Sequence, residues 1–176
     1  GSGKTEVYLA AIEEVIKKGK QAIVLIPEIA LTYQTVTRFT KRFGDRVSIL
    51  NSRLSKGEKY DQWLRAKRGD IDVIIGPRSA LFVPFPNLGL IVIDEEHEPT
   101  YKSEQTPRYH ARETALRRAQ TEGASVVLGS ATPSMEAMYR AKNGEYVLME
   151  MKNRSKMQDP AEVYTVDMRK ELKNGN

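Results

Sequence analysis

A chain of 176 residues, 40% hydrophobic and 29% charged, is long enough to bury one sizeable core, and no apolar run in it approaches the length of a membrane span. Its lack of cysteine excludes disulfides and thiolate metal sites, and its first residues do not read as a signal peptide. The net charge of +5 and pI near 9.3 fit a polyanionic partner such as nucleic acid, although solvated lysines alone give the same balance.

In chain order, residues 5–18 carry Val7, Ala10, Ala11 and Val15 at helical spacing and stop at Gly19, and "QAIVLIP" is then a short β-branched strand ended by Pro27. The cycle repeats: a helix near 29–43 closed by Gly44, a strand "RVSIL", a helix from about Ser55 to Arg68 closed by Gly69, and a strand "DVIIG". Further on come a strand at 89–93, a helix near 108–122, a strand "ASVVLGS" and a helix after Pro133. Apolar strands without alternation are buried on both faces, and strands taking turns with helices imply right-handed crossovers in a mostly parallel sheet. The predicted class is therefore α/β, doubly wound, over residues 1–150. The polar stretch "MKNRSKMQDP" at 151–160 opens a connector predicted over 151–176.

Two stretches carry chemistry. The chain starts "GSGKTEVYL", which reads as the end of a phosphate-binding loop running into a helix. Glycines let backbone N–H groups crowd around phosphates, the helix N-terminus adds partial positive charge, Lys4 reaches the β/γ-phosphates and the Thr5 hydroxyl ligates Mg²⁺. The full pattern wants another glycine five residues before Gly3, and a Gly-Ser-Gly start also resembles a flexible leader. The second stretch is "LIVIDEEH", an apolar strand ending in Asp94, Glu95, Glu96 and His97. Ligands of such sheets collect beyond the carboxyl ends of the strands, where one carboxylate can hold Mg²⁺ and the next can polarise a water. The alternative is an acidic N-cap cluster on the following segment.

"GSGKTEVYL", "LIPEIALTYQ", "IIGPRSALFVPFPNLGL", "LIVIDEEH", "YHARETA" and "LGSATPSMEA", in that order, closely resemble the PriA-type family of primosomal replication-restart helicases, superfamily 2 DNA translocases. The resemblance covers almost the whole chain and implies the first of two RecA-like lobes. It implies that Gly1, Ser2, Gly3, Lys4 and Thr5 bind ATP phosphates, with Thr5 and Asp94 on Mg²⁺, and that Asp94, Glu95 and His97 form the catalytic group. It also implies that Ser130, Ala131 and Thr132 couple nucleotide state to DNA. Taken alone, His97 also reads as a surface histidine and Thr132 as an N-cap before Pro133.

Arg78 and Ser79 in "GPRSALF", with Tyr101, Lys102, Arg108 and Tyr109 in the segment after the carboxylates, are expected DNA contacts. The aromatic and basic residues supply stacking faces and phosphate partners for single strands, although an ordinary loop with inward tyrosines has the same composition. The family pattern has Pro, Thr and His where this chain has Tyr33, Pro77 and Asn51, which leaves the nucleotide chemistry untouched. The resemblance further implies ATP and Mg²⁺ as ligands, single-stranded and forked DNA and other primosome proteins as partners, a bacterial cytoplasmic location without a membrane, and zinc only in a part of the family absent here. The second lobe's arginine is also absent, so the chain is expected to be a fragment, inactive when isolated, of a 3′ to 5′ helicase. A P-loop ATPase that remodels proteins, and a non-catalytic scaffold module, are the competing classes.

Overall fold

The computed structural model describes residues 3–151, of which Lys4–Met149 form one compact unit; Gly1, Ser2 and the connector expected beyond Met151 lie outside the described residues. Five strands, β1 (Gln21–Leu25), β2 (Val47–Ile49), β3 (Val73–Gly76), β4 (Leu88–Asp94) and β5 (Ser125–Gly129), form a sheet in the order β2-β3-β1-β4-β5. Every pairing among them is parallel. Five helices accompany them: α1 (Lys4–Lys17), α2 (Tyr33–Phe43), α3 (Lys56–Arg68), α4 (Ala111–Glu122) and α5 (Met135–Lys142).

The unbroken apolar strands are explained by cover on both faces. Ala22, Val24, Ile26, Val73, Ile75, Leu90 and Val92 pack with Tyr8, Leu9 and Ile12 of α1 and Phe39 of α2. The alternate residues Ile23, Leu25, Ile74, Ile91 and Ile93 pack on the other side with Ala66 of α3, Ala111, Ala115 and Ala119 of α4, and Leu81. The period of two sends successive side chains to opposite faces, and each large apolar side chain fully buried this way contributes roughly 1.5–3 kcal/mol.

Helix limits follow their caps. α3 starts with a capping box between Ser55 and Glu58 and stops at Gly69, whose φ of 76° suits glycine. The helix expected near 29–43 begins only at Tyr33, because Glu28–Ala30 forms a 3₁₀ turn and the extended Thr32 accepts a bond from the Thr35 N–H as N-cap. The helix expected near 108–122 begins at Ala111, since His110 is extended and its Nδ1 accepts from the Arg112 N–H. The helix after Pro133 is capped by Ser134 rather than Thr132: the Ser134 hydroxyl accepts the Ala137 N–H.

The side on which the chain adds its next strand reverses across the centre of the sheet. β1 leads through α2 toward β2 on one side, and β4, its neighbour on the other side, leads through α4 toward β5. The carboxyl ends of β1 and β4 therefore flank a topological switch point, the place where ligands enter such sheets.

Candidate active site

Asp94 is the last residue of β4 and lies opposite Gly129 of β5 in register. α1 aims two side chains at it from one helical face, since Lys4 and Tyr8 are one turn apart. The Tyr8 hydroxyl donates to Asp94 Oδ1 at 2.9 Å, and Lys4 Nζ stands 3.8 Å from the same oxygen. Lys4 Nζ also donates to Glu95 Oε1 at 2.7 Å. Gly3, immediately ahead of α1, has the left-handed φ of 83° expected of a loop glycine. Thr5 follows Lys4 in the first helical turn.

The strand gives way to a tight turn at Glu95, whose φ of 48° is unusual for a residue with a side chain. Two backbone bonds hold it there: the Glu96 N–H donates to Gly129 O at 3.0 Å, and the Glu98 N–H to Glu95 O at 2.9 Å. His97 projects back toward the carboxylate, its Nδ1 3.7 Å from Glu95 Oε2 and sharing a hydrogen bond with the Ser130 hydroxyl at 2.7 Å. Ser130 Oγ also accepts the Thr132 N–H at 3.0 Å, while Ala131 and Thr132 themselves are exposed. The residues assigned to catalysis and to coupling thus meet at the ends of β4 and β5.

Burial raises the Asp94 pKa above the usual carboxylate range, against the opposing pull of the Tyr8 hydrogen bond and the Lys4 charge. Burial first, and the Asp94 charge second, push the Tyr8 hydroxyl far above its ordinary range, so it stays a donor. The acceptors shown at this edge are hard oxygens, those of the Asp94 and Glu95 carboxylates around Lys4. Among the described residues no group of His, Cys, Asp or Glu encloses a metal unaided. Carboxylate oxygens of this kind suit Mg²⁺, which takes one or two protein oxygens and completes its shell with water and substrate phosphates.

The segment after the carboxylates divides into residues that face solvent and residues that do not. Tyr101 was expected to stack on DNA, and the fold overrules that: it is 1% exposed, inside the core beside Leu25 and Ile93. Its hydroxyl proton is shared between the carbonyls of Asp94 at 2.6 Å and Leu25 at 3.0 Å, which ties the ends of β4 and β1 together. Arg78 spends one nitrogen on the carbonyls of Thr100 at 2.7 Å and Lys102 at 3.0 Å, so it supports the loop from beneath. Ser79, Lys102 and Arg108 are exposed, and Tyr109 is half-buried with its ring edge-on to Phe82 at 5.1 Å.

Sequence reasoning missed Tyr8, although its place one turn after Lys4 was a usable signal. It also missed Phe82, which is 54% exposed beside Tyr109, and the buried Glu96.

A family model described as DEAD/DEAH box helicase matches residues 1–140. The chain belongs to the DEAD/DEAH box helicase family. It is 55% identical over 176 residues to the replication restart protein PriA of Bacillus subtilis, covering 100% of this chain and 22% of the relative. The replication restart protein PriA of Chlamydia pneumoniae is 50% identical over 169 residues, which cover 96% of this chain and 23% of that protein. The chain therefore spans about a fifth of the length of these relatives. Among solved structures, RecG bound to a three-way DNA junction is similar with a TM-score of 0.57 and 28% identity, over 82% of this chain and 18% of that one. The C-terminal domain of the DEAD-box protein Dbp5 has a TM-score of 0.55 at 16% identity, over 83% of this chain and 81% of that one, a likeness of fold alone. The fold is RecA-like, as the sequence predicted. Among the described residues no helix is long and apolar enough to cross a membrane.

Proposed function

We propose that this chain is the nucleotide-binding lobe of a bacterial DNA helicase that restarts stalled replication forks, working in the cytoplasm with other primosome proteins. The observation that supports this reading is the convergence of Lys4, Asp94 and Glu95 on one point at the carboxyl edge of an all-parallel sheet. Its companion is the close likeness to replication restart proteins.

In this reading Thr5 and Asp94 hold Mg²⁺, which when bound neutralises phosphate charge and orients the terminal phosphate. The residues of the chain do the remainder. Lys4, paired with Glu95 at 2.7 Å, exchanges that partner for the β/γ-phosphates, which releases Glu95 to orient the attacking water and accept its proton. Gly1, Ser2 and Gly3 offer backbone N–H groups to the phosphates. Ser130, linked to His97, reports the state of the site to the segment Ala131–Thr132. Ser79, Lys102, Arg108 and Tyr109 meet the DNA backbone and bases, with Arg78 holding the loop of Lys102 through the Thr100 and Lys102 carbonyls.

The test is phosphate release by the full-length protein with and without single-stranded or forked DNA. Stimulation by DNA supports the reading. A rate indifferent to DNA would move the protein to another P-loop class, and no hydrolysis at all would leave a scaffold.

A further inference from the structure

α3 buries only Ala66 fully, and its outward surface carries two aromatic rings where a solvated helix face is ordinarily polar. Lys56, Tyr60, Trp63 and Lys67 follow one another at steps of four, three and four residues, so they form a single stripe along the helix. Tyr60 and Trp63 are stacked, with ring planes 9° apart and centroids at 6.1 Å, and Lys67 Nζ lies over the Trp63 ring at 5.2 Å. Tyr60 ends this stack and is 58% exposed.

The stripe is also positive. Lys56 and Lys67 are exposed, and neither forms an ion pair among the described residues. No acid interrupts it: Glu58 is held in the capping box at Ser55, and Asp61 lies roughly 100° round the helix from Tyr60. An aromatic ring open to solvent between unpaired cations offers a stacking face and phosphate partners together, the combination that suits a single strand with unstacked bases. A duplex keeps its bases stacked and leaves Tyr60 without a role, and an apolar partner leaves the lysines without one. The position agrees with this choice. The Leu50 N–H donates to Ile75 O at 2.7 Å and the Ser52 N–H to Glu28 Oε1 at 2.9 Å, so the turn into α3 sits at the carboxyl edge beside the end of β3, from which Ser79 follows. From there α3 runs back along the flank of the sheet toward the start of β3.

We propose that the stripe of Lys56, Tyr60, Trp63 and Lys67 on α3 is a binding surface for single-stranded nucleic acid, with a base stacked on Tyr60 and phosphates at the two lysines. This rests on the reading of the parent protein as acting on DNA, and it adds a contact on a helix that contributes nothing to the nucleotide site. The experiment titrates the full-length protein, without nucleotide, into a fluorescently labelled oligothymidine and follows anisotropy at several salt concentrations. A second oligothymidine carrying iodouracil is cross-linked by light, and the modified tryptic peptide is identified by mass spectrometry. The variants are Tyr60→Ala, Tyr60→Phe, and Lys56→Ala combined with Lys67→Ala, each with its thermal midpoint.

Tyr60→Ala is expected to weaken binding by about tenfold, within the range for removing one aromatic stacking partner, while Tyr60→Phe, which keeps the ring, binds within about twofold of the wild type. Removing both lysines should lower the slope of log affinity against log salt by about 1.4, at about 0.7 for each phosphate contact on a single strand. The cross-link should fall in the peptide Tyr60–Arg65. Unchanged binding by Tyr60→Ala, an unchanged salt slope in the lysine pair, or a cross-link found only in other peptides would overturn the proposal, and all three are expected if the stripe docks an acidic protein instead. Should Tyr60→Ala melt below the wild type, the lysine pair and the cross-link carry the decision. A wild-type protein that binds no oligothymidine would overturn the functional reading itself, and is seen before any variant is made.

Discussion

The Tyr8 hydroxyl donates to Asp94 Oδ1 at 2.9 Å, and a Cβ added at Gly129 would overlap that hydroxyl. α1 therefore aims the carboxylate, and a bare glycine on β5 makes room for the tyrosine ring. Tyr8→Phe is expected to raise the Mg²⁺ concentration for half-maximal ATPase activity by roughly tenfold or more, the usual cost of removing a group that orients a metal ligand. Gly129→Ala should have a larger effect because it displaces Tyr8 altogether. A magnesium titration of the full-length variants checks both, and an unchanged magnesium requirement in Tyr8→Phe would show that Asp94 needs no such support.

Burial of Tyr101 separates it sharply from Tyr109. Tyr101→Ala removes a fully buried aromatic ring and the hydroxyl shared by the Asp94 and Leu25 carbonyls, and should cost about 3–5 kcal/mol of stability, the range for Phe→Ala in cores. Tyr109→Ala, at a half-buried ring resting on Phe82, should leave the denaturation midpoint nearly unchanged while weakening the response to single-stranded DNA. Denaturant unfolding beside a DNA titration distinguishes them. Equal destabilisation by both would mean that the Tyr109 ring belongs to the core.

These two tyrosines show where sequence stops being readable. The alternation of strands and helices was legible because the strands are short, mostly apolar and β-branched runs, three of which, β1, β3 and β5, close at Pro or Gly, and cover on both faces explains such runs. The carboxylates after Ile93 were legible because an apolar strand must deliver whatever follows it to the sheet edge. The direction of Tyr101 was not, since it is fixed by two strand-end carbonyls, one of them, Leu25, far away in sequence, and composition carries no trace of the pairing. Glu96 reads as one more surface acid until Arg112 and Ser134 are seen around it. The late starts of α2 and α4 follow from cap geometry at Thr32 and His110, and His110 in particular is an uncommon cap.

The cap at His110 makes the start of α4 sensitive to acid. Its Nδ1 accepts the Arg112 N–H, which requires the unprotonated ring, and burial together with the Arg112 charge lowers its pKa below the usual histidine value. The neighbouring carboxylates of Glu113, Glu96 and Glu136 pull the other way without reversing the shift. A histidine pKa lowered by folding contributes stability that is complete above the unfolded value, about 6.5, and is lost as pH falls through the folded value. Hydrogen exchange of the Arg112 amide should therefore show protection that declines under acid. His110→Asn, which caps without titrating, should keep its protection at low pH, and a cap of this kind is worth ~1 kcal/mol. Protection that is flat with pH in the wild type would contradict the neutral-ring cap.

Glu95 offers the most direct measurement of the central claim. Its Oε1 is held by Lys4 at 2.7 Å and its turn by the backbone of Gly129, and in the proposed function it orients the attacking water. Single-turnover phosphate release by the full-length protein with Mg–ATP and single-stranded DNA, compared between wild type and Glu95→Gln, isolates that role, with ATP affinity measured in parallel. Release is expected to slow by roughly two to four orders of magnitude with ATP binding nearly intact, the range for loss of a general base. Turnover within a few-fold of wild type, or a comparable loss of ATP binding and turnover, would contradict it.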